Sequence, residues 1–244
     1  MPDNEPPHKN FMGSQDRADG FPVVGIGASA GGLEAFRKLL DGLPALTGMA
    51  SILVQHLDPH HESLLVDLLT GHTAMTVKQA EDGMQIEPEH VYVIPPGCYL
   101  SVRAGTLHLS EPNARHGARL PFDFLLQSLA AEYGPRTICV ILSGTGLDGC
   151  QGIRAVRDQG GLTIVQDPNE AGFDGMPRNA IATGLVDLVL PIAKIPAALI
   201  GHVVKIASPG DASEEPSNDW LTDIVAMLRD KTPHDFTSYR TGTL

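Results

Sequence analysis

An apolar run from Pro22 to Ile26 passes through Gly27-Ala-Ser-Ala-Gly31 into an amphipathic run ending at Leu40, and this junction admits few folds. The first run reads as a buried strand. Leu33, Phe36, Lys38, Leu39 and Leu40 read as a helix, so Ser29 stands on the tight turn between the two. Small neighbours let such a turn bend sharply and expose the serine Oγ. The N–H groups at the helix start face that oxygen, where the intermediate of an acyl transfer needs donors for its negative charge. The same residues allow other readings. Gly25-x-Gly27-x-x-Ala30 fits a relaxed dinucleotide fingerprint, which wants a carboxylate at the end of the second strand. That strand, Ile52 to Gln55, is followed by His56, a poor ribose acceptor and a good base, with Asp58 close by. No Lys-Ser or Lys-Thr pair follows the glycines, which argues against a phosphate-binding P-loop. The pattern alone leaves nucleophile and structural turn evenly matched.

The rest of the chain extends the strand–helix rhythm. Ser51 to Gln55 reads as a second buried strand and Glu62 to Leu69 as a helix. Met75 to Gln79, His90 to Ile94, Tyr99 to Arg103 and Thr106 to Ser110 are short alternating runs between glycines and prolines, which predict an antiparallel insertion or edge. Helices are then expected at Pro121 to Tyr133, Gln151 to Gln159 and Met176 to Thr183, and strands at Thr137 to Leu142, Leu162 to Gln166 and Leu185 to Leu190. Strands apolar on both faces need helices on both faces. The expectation is one α/β domain over residues 21–206, doubly wound, with a mostly parallel sheet, helices on both faces and a small antiparallel insertion. Its 244 residues, 42% of them hydrophobic, suffice for one such core plus tails.

The ends differ in composition. Residues 1–20 are polar and proline-containing and read as a flexible lead, not a secretory signal. Residues 207–218 read as a linker, and Asp219 to Leu228 is again amphipathic. No apolar run is of membrane-spanning length, so no membrane insertion and a cytoplasmic location are expected. The net charge of −12 argues against broad nucleic-acid binding. Three widely spaced cysteines, Cys98, Cys139 and Cys150, argue against a disulfide framework or a zinc cluster. His60 and His61 beside His56 and Asp58 lack the helical His-x-x-x-His spacing, and no metal or cofactor is expected.

A serine nucleophile requires a base and a carboxylate to orient it. In a parallel sheet the C-terminal ends of neighbouring strands meet at one crevice. Ser29 and His56 both follow such ends, and Asp148 lies in the glycine-rich turn Ser143-Gly-Thr-Gly-Leu-Asp-Gly149 after the strand ending at Leu142. Asp148 equally suits the N-cap of the helix that follows.

Several motifs together resemble one known family. These are GIGASAGG at Gly25 to Gly32, VQH at Val54 to His56, AEDG at Ala80 to Gly83, YVIPPG at Tyr92 to Gly97, LSGTGLDG at Leu142 to Gly149 and GMPRNAI at Gly175 to Ile181. They resemble the catalytic domain of the CheB-type protein-glutamate methylesterases of bacterial chemotaxis, over nearly all of residues 21–204. The resemblance implies that Ser29 is the nucleophile, His56 the general base and acid, and Asp148 the residue that orients His56. It implies hydrolysis of glutamate γ-methyl esters on a methylated chemoreceptor or sensor, releasing methanol, with glutamine deamidation a common companion activity. The alternative is a catalytically silent interaction module. Ala30 and Thr145 are the expected sources of oxyanion N–H donors, and Arg178 is a candidate for contact with an acidic substrate helix, or for a structural ion pair.

Two features depart from the family pattern. Thr145 stands where methionine is common, and residues 1–20 are too few for the receiver domain of the familiar chemotaxis enzyme, so receiver gating is not expected. Residues 219–244 resemble the opening helices of a receptor methyltransferase, which implies a relation to methylesterase–methyltransferase fusions and a methyltransferase domain as partner.

Overall fold

The computed structural model describes residues 20–55, 64–111 and 120–207. The first strand, β1 (Val23–Ala28), leads through the Ser29 turn into α1 (Gly32–Asp41). There follow β2 (Ala50–Gln55), α2 (Leu65–Thr70), β3 (Thr76–Gln79) and β4 (His90–Val93). A hairpin of β5 (Tyr99–Arg103) and β6 (Thr106–Ser110) precedes α3 (Pro121–Tyr133), β7 (Thr137–Ile141) and α4 (Cys150–Asp158). The chain continues with β8 (Leu162–Gln166), α5 (Gly175–Ala182), β9 (Leu188–Leu190) and α6 (Ile195–Ala207). A boundary between two compact units falls after Val203. Seven strands form one sheet in the order β3-β4-β2-β1-β7-β8-β9, every pairing in it parallel.

The sheet is doubly wound, as the apolar runs predict, with one difference. Of the four short runs read as an antiparallel insertion, β3 and β4 extend the main sheet in parallel, and only β5 and β6 pair antiparallel. The reason is a connection that local pattern does not reveal. The chain crosses from β3 to β4 through Glu81 to Glu89 without a tight hairpin turn, and the Ala80 N–H bonds to the Val93 carbonyl at 2.8 Å. The last strand is also shorter than its apolar run, because Leu185 and Asp187 are held by Thr163 ahead of β9.

Side chains of β1 alternate between two cores. Val24, Ile26 and Ala28 face the layer of α1, α2 and α6, with Phe36, Leu39 and Leu40 of α1. Val23 faces the layer of α3, α4, α5 and the hairpin. Gly25 and Gly27 face that same layer, where a Cβ on Gly27 would lie 2.3 Å from the Phe122 ring and one on Gly25 3.1 Å from Leu126. These two glycines therefore exist to bring α3 against the central strand. Fully burying a ring such as Phe122 stabilises by about 2–3 kcal/mol, which a side chain at Gly27 would forfeit. Lys38, grouped by spacing with the α1 leucines, instead lies on the exposed face and pairs with Glu34 at 3.5 Å. Among the described residues no helix is long and apolar enough to cross a membrane.

Candidate active site

The chain reverses its direction of winding at β1, with β2 on one side and β7 on the other, and the crevice at the C-terminal ends of these strands is where an open α/β sheet binds ligands. Ala28 is level with Gln55 and Gly27 with Ile141, so the C-terminal ends of β1, β2 and β7 lie side by side. Ser29 is the first residue beyond β1 and is half-buried. The turn closes with the Gly32 N–H bonded to the Ser29 carbonyl at 2.9 Å. Gly31 takes a left-handed conformation (φ 72°), and a Cβ there would lie 2.8 Å from the Ser143 Oγ, so glycine is required on both counts.

A second turn is laced to the first. The Ser29 N–H donates to the Ser143 carbonyl at 3.1 Å, and the Ser143 hydroxyl donates to the Ala30 carbonyl at 2.9 Å. The same hydroxyl accepts the Phe173 N–H at 2.9 Å, while the Ser143 N–H donates to the buried Gln166 Oε1 at 2.9 Å. Gly144 completes the lattice: its N–H bonds to the Phe173 carbonyl and its carbonyl accepts the Met176 N–H, each at 2.9 Å. A Cβ on Gly144 would approach the Ser29 Cβ and N to 3.0 Å and the Met176 Sδ to 2.3 Å. The Ser29 turn, the β7 turn and the segment before α5 thus form one hydrogen-bonded floor.

Asp148 lies in the β7 turn and is 3% exposed. The N-cap of α4 is not Asp148 but Gly149, at φ 99°. The carboxylate instead caps a neighbouring helix: Oδ2 accepts the Phe122 N–H at 3.0 Å and Oδ1 the Asp123 N–H at 2.9 Å, the second and third residues of α3. A carboxylate so held is fixed in orientation at the positive end of a helix.

The other candidates fall in different places. Ala30 and Thr145 lie on the two laced turns, and no described residue accepts a hydrogen bond from either backbone N–H. Arg178 is on the exposed surface of α5, where its Nε donates to Asp174 Oδ2 at 2.5 Å. That bond holds the Asp174 carboxyl below the usual range. His56, the expected base, follows the last residue of β2 and lies outside the described residues, as do His60, His61 and residues 1–19 and 208–244. Among the described residues no group of three or more His, Cys, Asp and Glu side chains is arranged to hold a metal ion.

Sequence reasoning missed three residues of this floor. Ser143 and Gln166 are buried polar side chains whose partners come from distant segments, and Asp123 sits in an otherwise apolar helix face. Only the last carried a signal, a carboxylate among Phe122, Leu125 and Leu126.

A parallel, doubly wound sheet with a serine turn at its switch point and a helix-held carboxylate on the next strand end is the architecture in which open α/β proteins place a ligand site. Residues 24–199 match the CheB methylesterase family, and the chain belongs to it. It is 38% identical to the protein-glutamate methylesterase FrzG of Myxococcus xanthus over 184 residues, 75% of this chain and 55% of that protein. It is 34% identical to a protein-glutamate methylesterase/protein-glutamine glutaminase of Pyrococcus abyssi over 193 residues, 78% of this chain and 52% of that one. The chain therefore spans about half the length of the curated relatives it matches. The crystal structure of the Thermotoga maritima CheB methylesterase catalytic domain superposes with a TM-score of 0.70 at 34% identity, covering 75% of this chain and 98% of that one.

Proposed function

We propose that this chain hydrolyses glutamate γ-methyl esters on a methylated chemoreceptor or related sensor in the cytoplasm, through Ser29, His56 and Asp148. The observation that carries the reading is the lacing of the Ser29 turn to the turn bearing the fixed Asp148 carboxylate, in a chain of the CheB methylesterase family. Ser29 Oγ attacks the ester carbonyl as His56 takes its proton, and the oxyanion is met by the N–H groups of Ala30 and Thr145. His56 returns the proton to the departing methanol. Water then attacks the acyl-enzyme, giving its proton to His56 and restoring Ser29 and the glutamate carboxylate. Asp148 holds His56 in the required tautomer and stabilises its charged form. The same steps on a glutamine amide release ammonia, the glutaminase activity named for the Pyrococcus relative.

Residues 21–206 serve as the catalytic domain in this reading, 207–218 as linker and 219–244 as the start of a methyltransferase-like helical segment, with a methyltransferase domain as a partner in signalling. The test is methanol release from receptor fragments carrying radiolabelled methyl esters, with the chain and its Ser29→Ala variant side by side. Release by the unsubstituted chain, reduced on the order of a million-fold in the variant, supports the reading. No release from either assigns the fold a docking role.

A further inference from the structure

Asp123 is a buried carboxylate that the proposed triad does not use. It is 3% exposed, at the third residue of α3, and its Oδ1 accepts the N–H of Gly152, the third residue of α4, at 2.6 Å. Asp148, just before α4, in turn accepts the N–H groups of Phe122 and Asp123. Each helix has its unpaired N-terminal donors met by a carboxylate from the other's segment, and two positive helix ends converge on two negative groups. We propose that Asp123 is a positioning residue for Asp148, holding the first turn of α4, and with it the Asp148 turn, against α3 so that the Asp148 carboxylate keeps one orientation. This inference rests on the esterase reading for its kinetic consequence and on the reciprocal capping for its structural one.

The arrangement is costly for a mere cap. Asp123 Oδ2 is buried and has no hydrogen-bond partner. Cys139 of β7, Cys150 of α4 and Asp148 all face the carboxylate. Burial, with the Asp148 charge adding to it and the Gly152 N–H opposing it, pushes the Asp123 carboxyl up to about 6. Asp123 thus changes charge within the range where a histidine base works, beside the residue that orients that base.

The test uses the whole chain with Asp123→Ala and Asp123→Asn, measuring kcat and KM on methylated receptor fragments and the amide resonances of Phe122 and Gly152 from pH 4.5 to 8. Asp123→Ala is expected to lower kcat about ten- to hundredfold at unchanged KM and to displace the Phe122 resonance, which reports the Asp148 carboxylate. Asp123→Asn keeps an oxygen for Gly152 and is expected to restore kcat to within about threefold. In the unsubstituted chain the Gly152 and Phe122 resonances should titrate together near pH 6, and in Asp123→Asn neither should. A Phe122 resonance indifferent to Asp123, or an alanine variant with unchanged kcat, overturns the proposal. Absence of methanol release from the unsubstituted chain defeats the esterase reading alone, and the resonances then decide on Asp123. They also decide it if the alanine variant does not fold, since the titration needs only the native chain and the asparagine variant.

Discussion

The Ser29 N–H donates to the Ser143 carbonyl at 3.1 Å, so the Ser29 turn is fastened by main chain to the turn that carries Asp148. This bond spends the serine's own N–H, whereas no described residue accepts the N–H of Ala30 or Thr145. It also makes Ser143, only 2% exposed, the residue on which the geometry of both turns depends.

Replacing Ser143 by alanine removes a hydroxyl that bonds the Ala30 carbonyl and the Phe173 N–H, leaving both groups unmatched in a half-buried place. The expected cost is about 1–3 kcal/mol in denaturant unfolding. Turnover should fall as well, about tenfold or more, because the Ser29 turn loses a tether. Threonine, which keeps the hydroxyl, should recover more of both than alanine.

Gly144→Ala tests the floor from another side. The added methyl would press on Ser29 and Met176, so turnover should drop about tenfold or more while circular dichroism shows a folded protein. Gly71→Ala, where a Cβ meets nothing within 4 Å, is the matched control and should leave turnover unchanged.

The raised Asp123 carboxyl has a consequence for stability against pH. The folded chain holds this proton up to about pH 6, whereas an unfolded chain releases it near 3.8, so the native state binds more protons between those values. Stability from this group is fully present below pH 4 and is lost as pH rises through 6, by on the order of 3 kcal/mol. Measured as the difference between the chain and Asp123→Asn in urea, the gap should therefore move in favour of the asparagine variant from pH 4 to pH 7. A constant difference would contradict it.

Away from the site, Glu89 takes a left-handed backbone conformation (φ 58°) at the N-terminal edge of β4. Its carboxylate accepts the Thr47 N–H at 2.9 Å, the Gly48 N–H at 2.6 Å and the Thr47 hydroxyl at 2.9 Å, closing the loop into β2. Glu89→Ala should destabilise the chain by about 3 kcal/mol in urea unfolding. Turnover per folded molecule should not change, since these bonds lie at the opposite end of the strands from Ser29.

Local pattern made much of this protein legible. The β1–α1 junction placed Ser29 on its turn, and the apolar runs marked β2, β7 and β8 as buried strands. The glycines of the apparent dinucleotide fingerprint show where such reading stops. Gly25 and Gly27 are shaped by Phe122, Leu126 and Leu129, nearly a hundred positions further on, and no spacing rule reaches that far. Likewise the runs that became β3 and β4 have the same local character as β5 and β6. Only the path of the chain between them made one pair parallel and the other a hairpin.

By itself, then, the sequence determined which segments are strands and helices, because apolar periodicity records burial, and it put Ser29 and Asp148 on turns, because sharp glycine-rich turns after buried strands are local features. The tertiary structure decided which of those turns share hydrogen bonds, that Asp148 caps α3 instead of its own helix, and that Asp123 answers it from the other side. Those outcomes depend on donors and acceptors brought together from segments far apart in the chain, and a buried polar group takes whichever partner the packed fold sets against it.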